Sequence, residues 1–212
     1  MEPMTLWLTG DEAADRLLDQ DPFALLIGML LDQQMTMEAA FSGPKKLADR
    51  MGGLDVHRIA EADPVRFEEL AATPPAVHRY PRAMAGRIQA VARAVVDEHD
   101  GDASRIWTDG EPDAQTVVKR LTRLPGFGKQ KAQIFVALLA KRRGVDLPGW
   151  RAAVGPYGEE GVLRSIADVT DAESLAAVRE AKRAYKSALK AAGAGATPQS
   201  AQFAPGPTTP TS

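Results

Sequence analysis

Apolar residues recur at intervals of three and four along most of this chain, and the strict alternation that marks half-buried strands is scarce. In the segment 81–98, for example, Met84, Ile88 and Val95 fall on one stripe. The segment 23–34 is apolar nearly all round, which predicts a buried helix. The pattern therefore predicts an all-α protein.

Helix boundaries are marked by capping residues and by glycine. Asp-Pro pairs at 21–22 and 63–64 each combine an N-cap with a proline at the first helical position. Thr9 with Glu12 reads as a capping box for a helix over about 10–19. Further helices are predicted from Thr36 to the Gly-Gly pair at 52–53, over 81–98 and 114–123, after Gly128, and over 159–166 and 171–191.

The length of 212 residues suits one domain of two small lobes, which we place at 1–191. Residues 192–212 are rich in Gly and Ala and then in Pro, Thr and Ser, so we predict a disordered tail. The longest apolar run spans nine residues, against about 20 needed to cross a bilayer. With no secretion signal at the N-terminus, the expectation is a cytoplasmic protein that does not enter a membrane.

Composition excludes several kinds of chemistry. The chain has no cysteine, which excludes disulfides, a thiolate nucleophile, a zinc ribbon and an iron–sulfur cluster. Its three histidines lie far apart in the sequence, so no histidine-based metal site is predicted. We therefore expect no metal and no cofactor.

The charges are balanced in total, with a net charge of −2, but uneven along the chain. Residues 70–96 hold four arginines and no acid, and residues 114–145 hold eight basic residues and no acid. Residues 1–69 are net −8. Basic patches of this kind attract a polyanion. On charge alone, a merely solvated basic face explains the pattern equally well.

The segment between the predicted helices 114–123 and 129 onward carries the strongest motif. Pro125 ends the first helix, and two glycines permit a tight turn whose backbone stays accessible. Free amides at Gly126, Gly128 and Lys129, with the dipole of the second helix, form an anion site suited to a phosphate. The alternative is a plain helix–turn–helix corner.

This segment, Leu-Pro-Gly-Phe-Gly-Lys-Gln-Lys-Ala at 124–132, resembles the helix-hairpin-helix of the HhH-GPD superfamily of base-excision DNA glycosylases. Leu-Leu-Asp-Gln-Gln-Met-Thr at 30–36 resembles the family's buried helix that ends in a glutamine pair. The stretch 80–102 resembles the arginine-bearing helix and the connection between these motifs. The resemblance covers roughly 20–155 and implies an all-α fold of two helical lobes with a DNA-binding cleft between them.

The resemblance also implies a mechanism in which DNA is kinked over the cleft and a nucleotide is flipped into it. Gln34 matches the family's helix-end glutamine and is the candidate wedge, the alternative being a solvated glutamine. The implied partner is double-stranded DNA with a damaged base, bound by a monomer, and a monovalent cation at the hairpin is compatible with it. The implied DNA-binding residues are Gln34, Gly126, Phe127, Gly128, Lys129, Gln130 and Lys131.

Cleavage of a glycosidic bond develops positive charge on the sugar, which a nearby carboxylate stabilises. The resemblance assigns this role to Asp146, 18 residues after Gly128, although Asp146 fits equally well as a helix N-cap. Asp32 is a second carboxylate for the base pocket, unless it faces solvent or caps locally. Trp150, close to Asp146, is a candidate to stack on the flipped base, the alternative being a core residue.

Where lyase-active family members carry a catalytic lysine, this chain has Gln130. An amide cannot form a Schiff base, so the resemblance implies a monofunctional glycosylase that uses water. A non-catalytic DNA-binding protein that retains the hairpin is the alternative. A helical scaffold that does not bind nucleic acid is a weaker third possibility.

Overall fold

The computed structural model describes residues 6–191, in which all regular structure is helical. It contains two short 3₁₀ turns, at Gly155–Gly158 and Ile166–Asp168. The α-helices of the described part are α1 (Glu12–Gln20), α2 (Pro22–Leu31), α3 (Met37–Phe41), α4 (Gly43–Met51), α5 (Val56–Glu61), α6 (Pro64–Ala72), α7 (Pro81–His99), α8 (Arg105–Thr108), α9 (Ala114–Arg123), α10 (Lys129–Arg142), α11 (Trp150–Val154) and α12 (Ala172–Ala191). The predicted all-α class is confirmed. The predicted tail at 192–212 lies outside the described residues.

Most of the predicted N-caps are confirmed. Asp21 accepts hydrogen bonds from the first turn of α2, and Asp63 does the same for α6. For α1 the predicted N-cap was two residues too early, since Asp11 rather than Thr9 is the cap. The Thr9 hydroxyl instead donates to the Asp15 carboxylate at 2.9 Å, which fixes the chain entering the helix.

Some helical segments of the structure differ from the prediction. The single helix expected from Thr36 is divided into α3 and α4, because Pro44 in the first turn of α4 has no amide hydrogen to continue the ladder from α3. The short helix α5 was not anticipated. No α-helix forms over 159–166, where a 3₁₀ turn capped by Ser165 follows an irregular segment.

The helices pack in two groups, α1–α7 and α8–α12, around a hydrophobic core that is continuous between them. Helix α2 is buried along its whole length, as predicted. Its Gly28 lets α3 approach closely, since a Cβ there would lie 2.5 Å from the Phe41 ring. Within residues 6–191, no helix combines the length and apolarity needed to cross a bilayer.

Candidate functional site

The hairpin between α9 and α10 has the geometry that its sequence predicts. Helix α9 ends at Arg123 and α10 begins at Lys129. The side chains of Leu124 and Phe127 are both 5% exposed, so they anchor the turn in the core. The Phe127 ring meets the ring of Phe135 edge to face, with centroids 6.4 Å apart. This contact fixes the turn against the second helix of the motif.

The backbone of the hairpin is open at its tip. Gly126 and Gly128 are exposed, and Gly126 has a φ of +82°, a conformation that favours glycine. Within residues 6–191, the amides of Gly126, Gly128 and Lys129 donate to no backbone or side-chain acceptor. These amides lie at the positive end of the α10 dipole, so the tip is suited to bind an anion such as a phosphate.

The hairpin rests on the C-terminal end of α2. A Cβ on Gly126 would lie only 2.7 Å from a side-chain methyl of Leu30, so backbone and side chain are already in close contact. The Leu30 carbonyl accepts hydrogen bonds from the Lys131 ammonium at 2.9 Å and from the side-chain amide of Gln33 at 2.8 Å. The end of α2 and the open amides therefore belong to one site.

Lys131 serves this junction. The contact with DNA that the sequence suggested for it stays a prediction. Its ammonium lies 5.8 Å from the centre of the Phe127 ring and is half-buried. Burial lowers the pKa of Lys131 to about 8; the charge of Asp32 opposes this effect and that of Arg87 adds to it. Lys131 thus binds the helix end rather than projecting outward like the exposed Lys129.

The turn that follows α2 is held from both sides. The buried His78 ring donates from Nε2 to the Gln33 carbonyl at 2.8 Å, because its Nδ1 accepts from the Tyr80 amide at 2.9 Å. Arg87 donates to the side-chain oxygen of Gln33 at 3.2 Å. The next residue, Gln34, is exposed with a φ of +56°. The candidate wedge thus stands at the tip of a cross-linked turn, and its role in DNA stays a prediction.

Asp32 is the residue at which buried α2 ends. Its amide donates to the Gly28 carbonyl at 3.2 Å, and its side chain is 15% exposed. The carboxylate lies 3.8 Å from the ammonium of Lys182 on α12. Asp32 is therefore a local cap, the C-cap of α2, as one alternative predicted, and its carboxylate is not a solvated side chain.

The structure does not place Asp146 beside the hairpin. The Val145 amide donates to the carbonyl of Leu139, which lies about 15 Å along α10 from Lys129. The Pro148 carbonyl accepts from the amide of Ala114, at the end of α9 farthest from the hairpin. The side chain of Asp146 is exposed and forms no hydrogen bond or ion pair within residues 6–191. The cap alternative is also wrong, since Gly149 is the N-cap of α11, and the catalytic role stays a prediction.

Three other predicted residues contact the protein itself, and their roles toward DNA stay predictions. Trp150 packs against the core with the guanidinium of Arg151 over its ring at 4.6 Å, and it begins the helix that follows Asp146. The side chain of Gln130 donates to the buried Tyr157 hydroxyl at 2.8 Å. The Phe127 ring is buried, and the Phe127 amide donates to the Leu124 carbonyl at 3.1 Å.

Sequence reasoning missed the residues that assemble this site from other helices. His78, Arg87 and Lys182 come from separate parts of the chain, and no local motif marks them. The arginines at 79–93 were noted as a basic stretch and as part of the arginine-bearing helix that the resemblance implies, without individual roles. Their spacing gives no sign that Arg87 reaches the Gln33 side chain while Arg93 donates to the Ala60 carbonyl.

The donor set of the chain does not fit an iron–sulfur cluster, because the sequence has no cysteine to ligate one. Among the residues described, no three His, Asp or Glu side chains come together as metal ligands.

Comparison with known proteins places the chain in a family. The family of HhH-GPD superfamily base excision DNA repair proteins matches residues 27–191, so the chain belongs to the HhH-GPD superfamily, whose members are generally DNA glycosylases. Among solved structures, a trapped endonuclease III–DNA covalent intermediate, in an estranged-adenine complex, is similar at 18% identity and a TM-score of 0.41. That similarity covers 70% of this chain and 76% of the other. No curated protein matches the chain.

Proposed function

We propose that this protein is a monofunctional DNA glycosylase, which flips a damaged or mismatched base out of duplex DNA and hydrolyses its glycosidic bond. One observation supports this most strongly. The open amides of Gly126, Gly128 and Lys129 and the exposed Gln34 lie at the same end of buried α2, joined through Leu30. This arrangement supports the proposal that the turn binds a phosphate while Gln34 acts as the wedge.

Binding begins at the hairpin in this proposal. Three unpaired amides and the exposed Lys129 offer hydrogen bonds and positive charge to a backbone phosphate. Such contacts position the duplex without reading its sequence. The affinity is therefore expected to fall as the salt concentration rises, since bound phosphates release counterions.

Gln34 then fills the gap left by the extruded nucleotide. An enzyme that acts on the bond between sugar and base has to expose that bond, which stacking hides in the duplex. An amide side chain at an exposed tip can hydrogen-bond with the base that has lost its partner.

Water is the proposed nucleophile. The Gln130 amide is engaged with the Tyr157 hydroxyl, and an amide nitrogen does not form an imine. The amine of Lys131 is directed at the Leu30 carbonyl. Neither side chain is presented to the sugar carbon as a free amine.

The function is tested with duplexes that each contain one uracil, alkylated base, oxidised base or mismatch. Alkali breaks the strand wherever a base has been removed. We expect breaks with at least one substrate after alkali treatment and none before it. The distance of Asp146 from the hairpin favours a second candidate, a non-catalytic DNA-binding protein. Salt-sensitive binding with no cleavage of any substrate would select that candidate.

Borohydride trapping tests the absence of lyase activity. A lyase forms an imine between an enzyme amine and the sugar, which borohydride reduces to a stable cross-link. We expect no cross-linked species with the preferred substrate at pH 7, where most of Lys131 carries a proton. A cross-link that disappears in Lys131→Met would contradict the proposal and identify Lys131 as the nucleophile.

A further inference from the structure

A carboxylate stands at the end of α2, the helix whose Leu30 contacts the hairpin. Every residue of α2 from Phe23 to Leu31 is buried, and Asp32 is the first polar side chain where that helix ends. Two residues farther on lies the exposed Gln34. Asp32 therefore lies between the buried helix and the candidate wedge, two residues from the latter.

The hairpin reaches the same point from the other side. Lys131, in the first turn of α10, is hydrogen-bonded to Leu30, two residues before Asp32. Gly126 contacts the Leu30 side chain. The backbone that offers amides to a phosphate is thus held next to the backbone that carries this carboxylate.

Cationic side chains of three helices lie near Asp32, and one of them contacts its carboxylate. Lys182 of α12 lies 3.8 Å from the carboxylate, Lys131 of α10 lies close enough to feel its charge, and Arg87 of α7 binds the neighbouring Gln33. Only 15% of the Asp32 side chain is exposed. The negative charge is therefore partly shielded from water, where it acts more strongly on a developing positive charge.

We propose that Asp32, and not Asp146, is the catalytic carboxylate of the proposed glycosylase. The inference rests on the proposed function. When the C1′–N bond breaks, its electron pair leaves with the base, and Asp32 stabilises the cationic sugar. A water oxygen bonds to C1′ and its proton passes to Asp32. That proton then goes to the departed base, so that the products are the free base and an abasic sugar.

The contrast with Asp146 decides the assignment. Asp146 is the fourth residue after the end of α10. The chain between them is too short to return along a helix about 21 Å long. The hydrogen bonds of its neighbours Val145 and Pro148 hold it at the far end of the helix pair. Asp32 needs no such return, because α2 ends at the hairpin.

The test measures single-turnover excision by the full chain on whichever substrate the wild type cleaves. It also measures binding to a duplex with a tetrahydrofuran abasic analogue, which needs no catalysis. Asp32→Asn should slow excision about 100-fold, the usual effect of removing one electrostatic stabiliser. It should change binding of the analogue less than threefold. Asp97→Asn makes the same change at an exposed site on α7 and serves as the control.

Each outcome has a defined meaning. A loss below tenfold in Asp32→Asn, an equal or larger loss in Asp146→Asn, or a parallel loss of analogue binding would overturn the assignment. Asp32→Glu restores the carboxylate and should recover at least tenfold over Asp32→Asn; failure to recover would also count against it. A wild type that cleaves no substrate rejects the proposed function itself, whereas an active wild type with an active Asp32→Asn rejects this inference alone.

Discussion

Replacing Phe135 with alanine is expected to lower the free energy of unfolding by about 3–5 kcal/mol. Phe135 is fully buried in the middle of α10. Its ring centre lies 5.7 Å from that of Trp107 and 6.4 Å from that of Phe127. Truncation leaves a cavity that rigid helices cannot close, and it removes the support under the hairpin. Denaturant unfolding followed by circular dichroism measures the change.

Tyr80→Ala is the matched control, because Tyr80 is an aromatic residue that is 48% exposed. It should cost less than about 1 kcal/mol, as surface substitutions usually do. If Phe135→Ala unfolds within about 1.5 kcal/mol of the wild type, the aromatic cluster is not the anchor of the hairpin.

Lys129→Glu is expected to weaken binding to any undamaged duplex about tenfold at moderate salt, because it places a negative charge beside a phosphate contact. Lys129 is the first residue of α10 and is exposed beside the unpaired amides of Gly126 and Gly128. The slope of log affinity against log salt should fall by about one, the value for one lost phosphate contact. Fluorescence anisotropy over a salt series gives both quantities.

Lys119→Glu is the matched charge reversal, at an exposed position on α9 within the same basic stretch. It should reduce affinity clearly less than Lys129→Glu. Equal losses would mean that DNA responds to the general charge of this face. The hairpin would then have no special role in binding.

Local signals were sufficient for much of the fold. The Asp-Pro pairs at 21–22 and 63–64 begin helices as predicted, since cap and proline act within one turn. The bounds of α9 were also predicted, because Asp113 caps it and Pro125 follows it closely. The division between α3 and α4 was missed because the apolar spacing runs through it, and only Pro44 marks the break.

The parts of the site that are built from consecutive residues were predictable. The parts that depend on where a side chain or a helix points were not. The open hairpin amides follow from two glycines and a proline. The burial of Lys131 does not follow from the sequence. Adjacent helix positions point in different directions, so Gln130 reaches Tyr157 while Lys131 reaches Leu30. The spacing of Asp146 from the hairpin fits the resemblance. However, most of the intervening residues form α10, which runs away from the hairpin.

Nε2 of His78 and the guanidinium of Arg87 both bind Gln33, the residue before Gln34, and so restrain the backbone at this point. In the proposed complex, the backbone that carries Gln34 would lose little entropy when the side chain enters the double helix. The cost of forming the complex then falls on the nucleic acid, which has to bend and unstack to meet a fixed point. Base pairs that are already weakened would therefore unstack more readily at Gln34 than intact pairs.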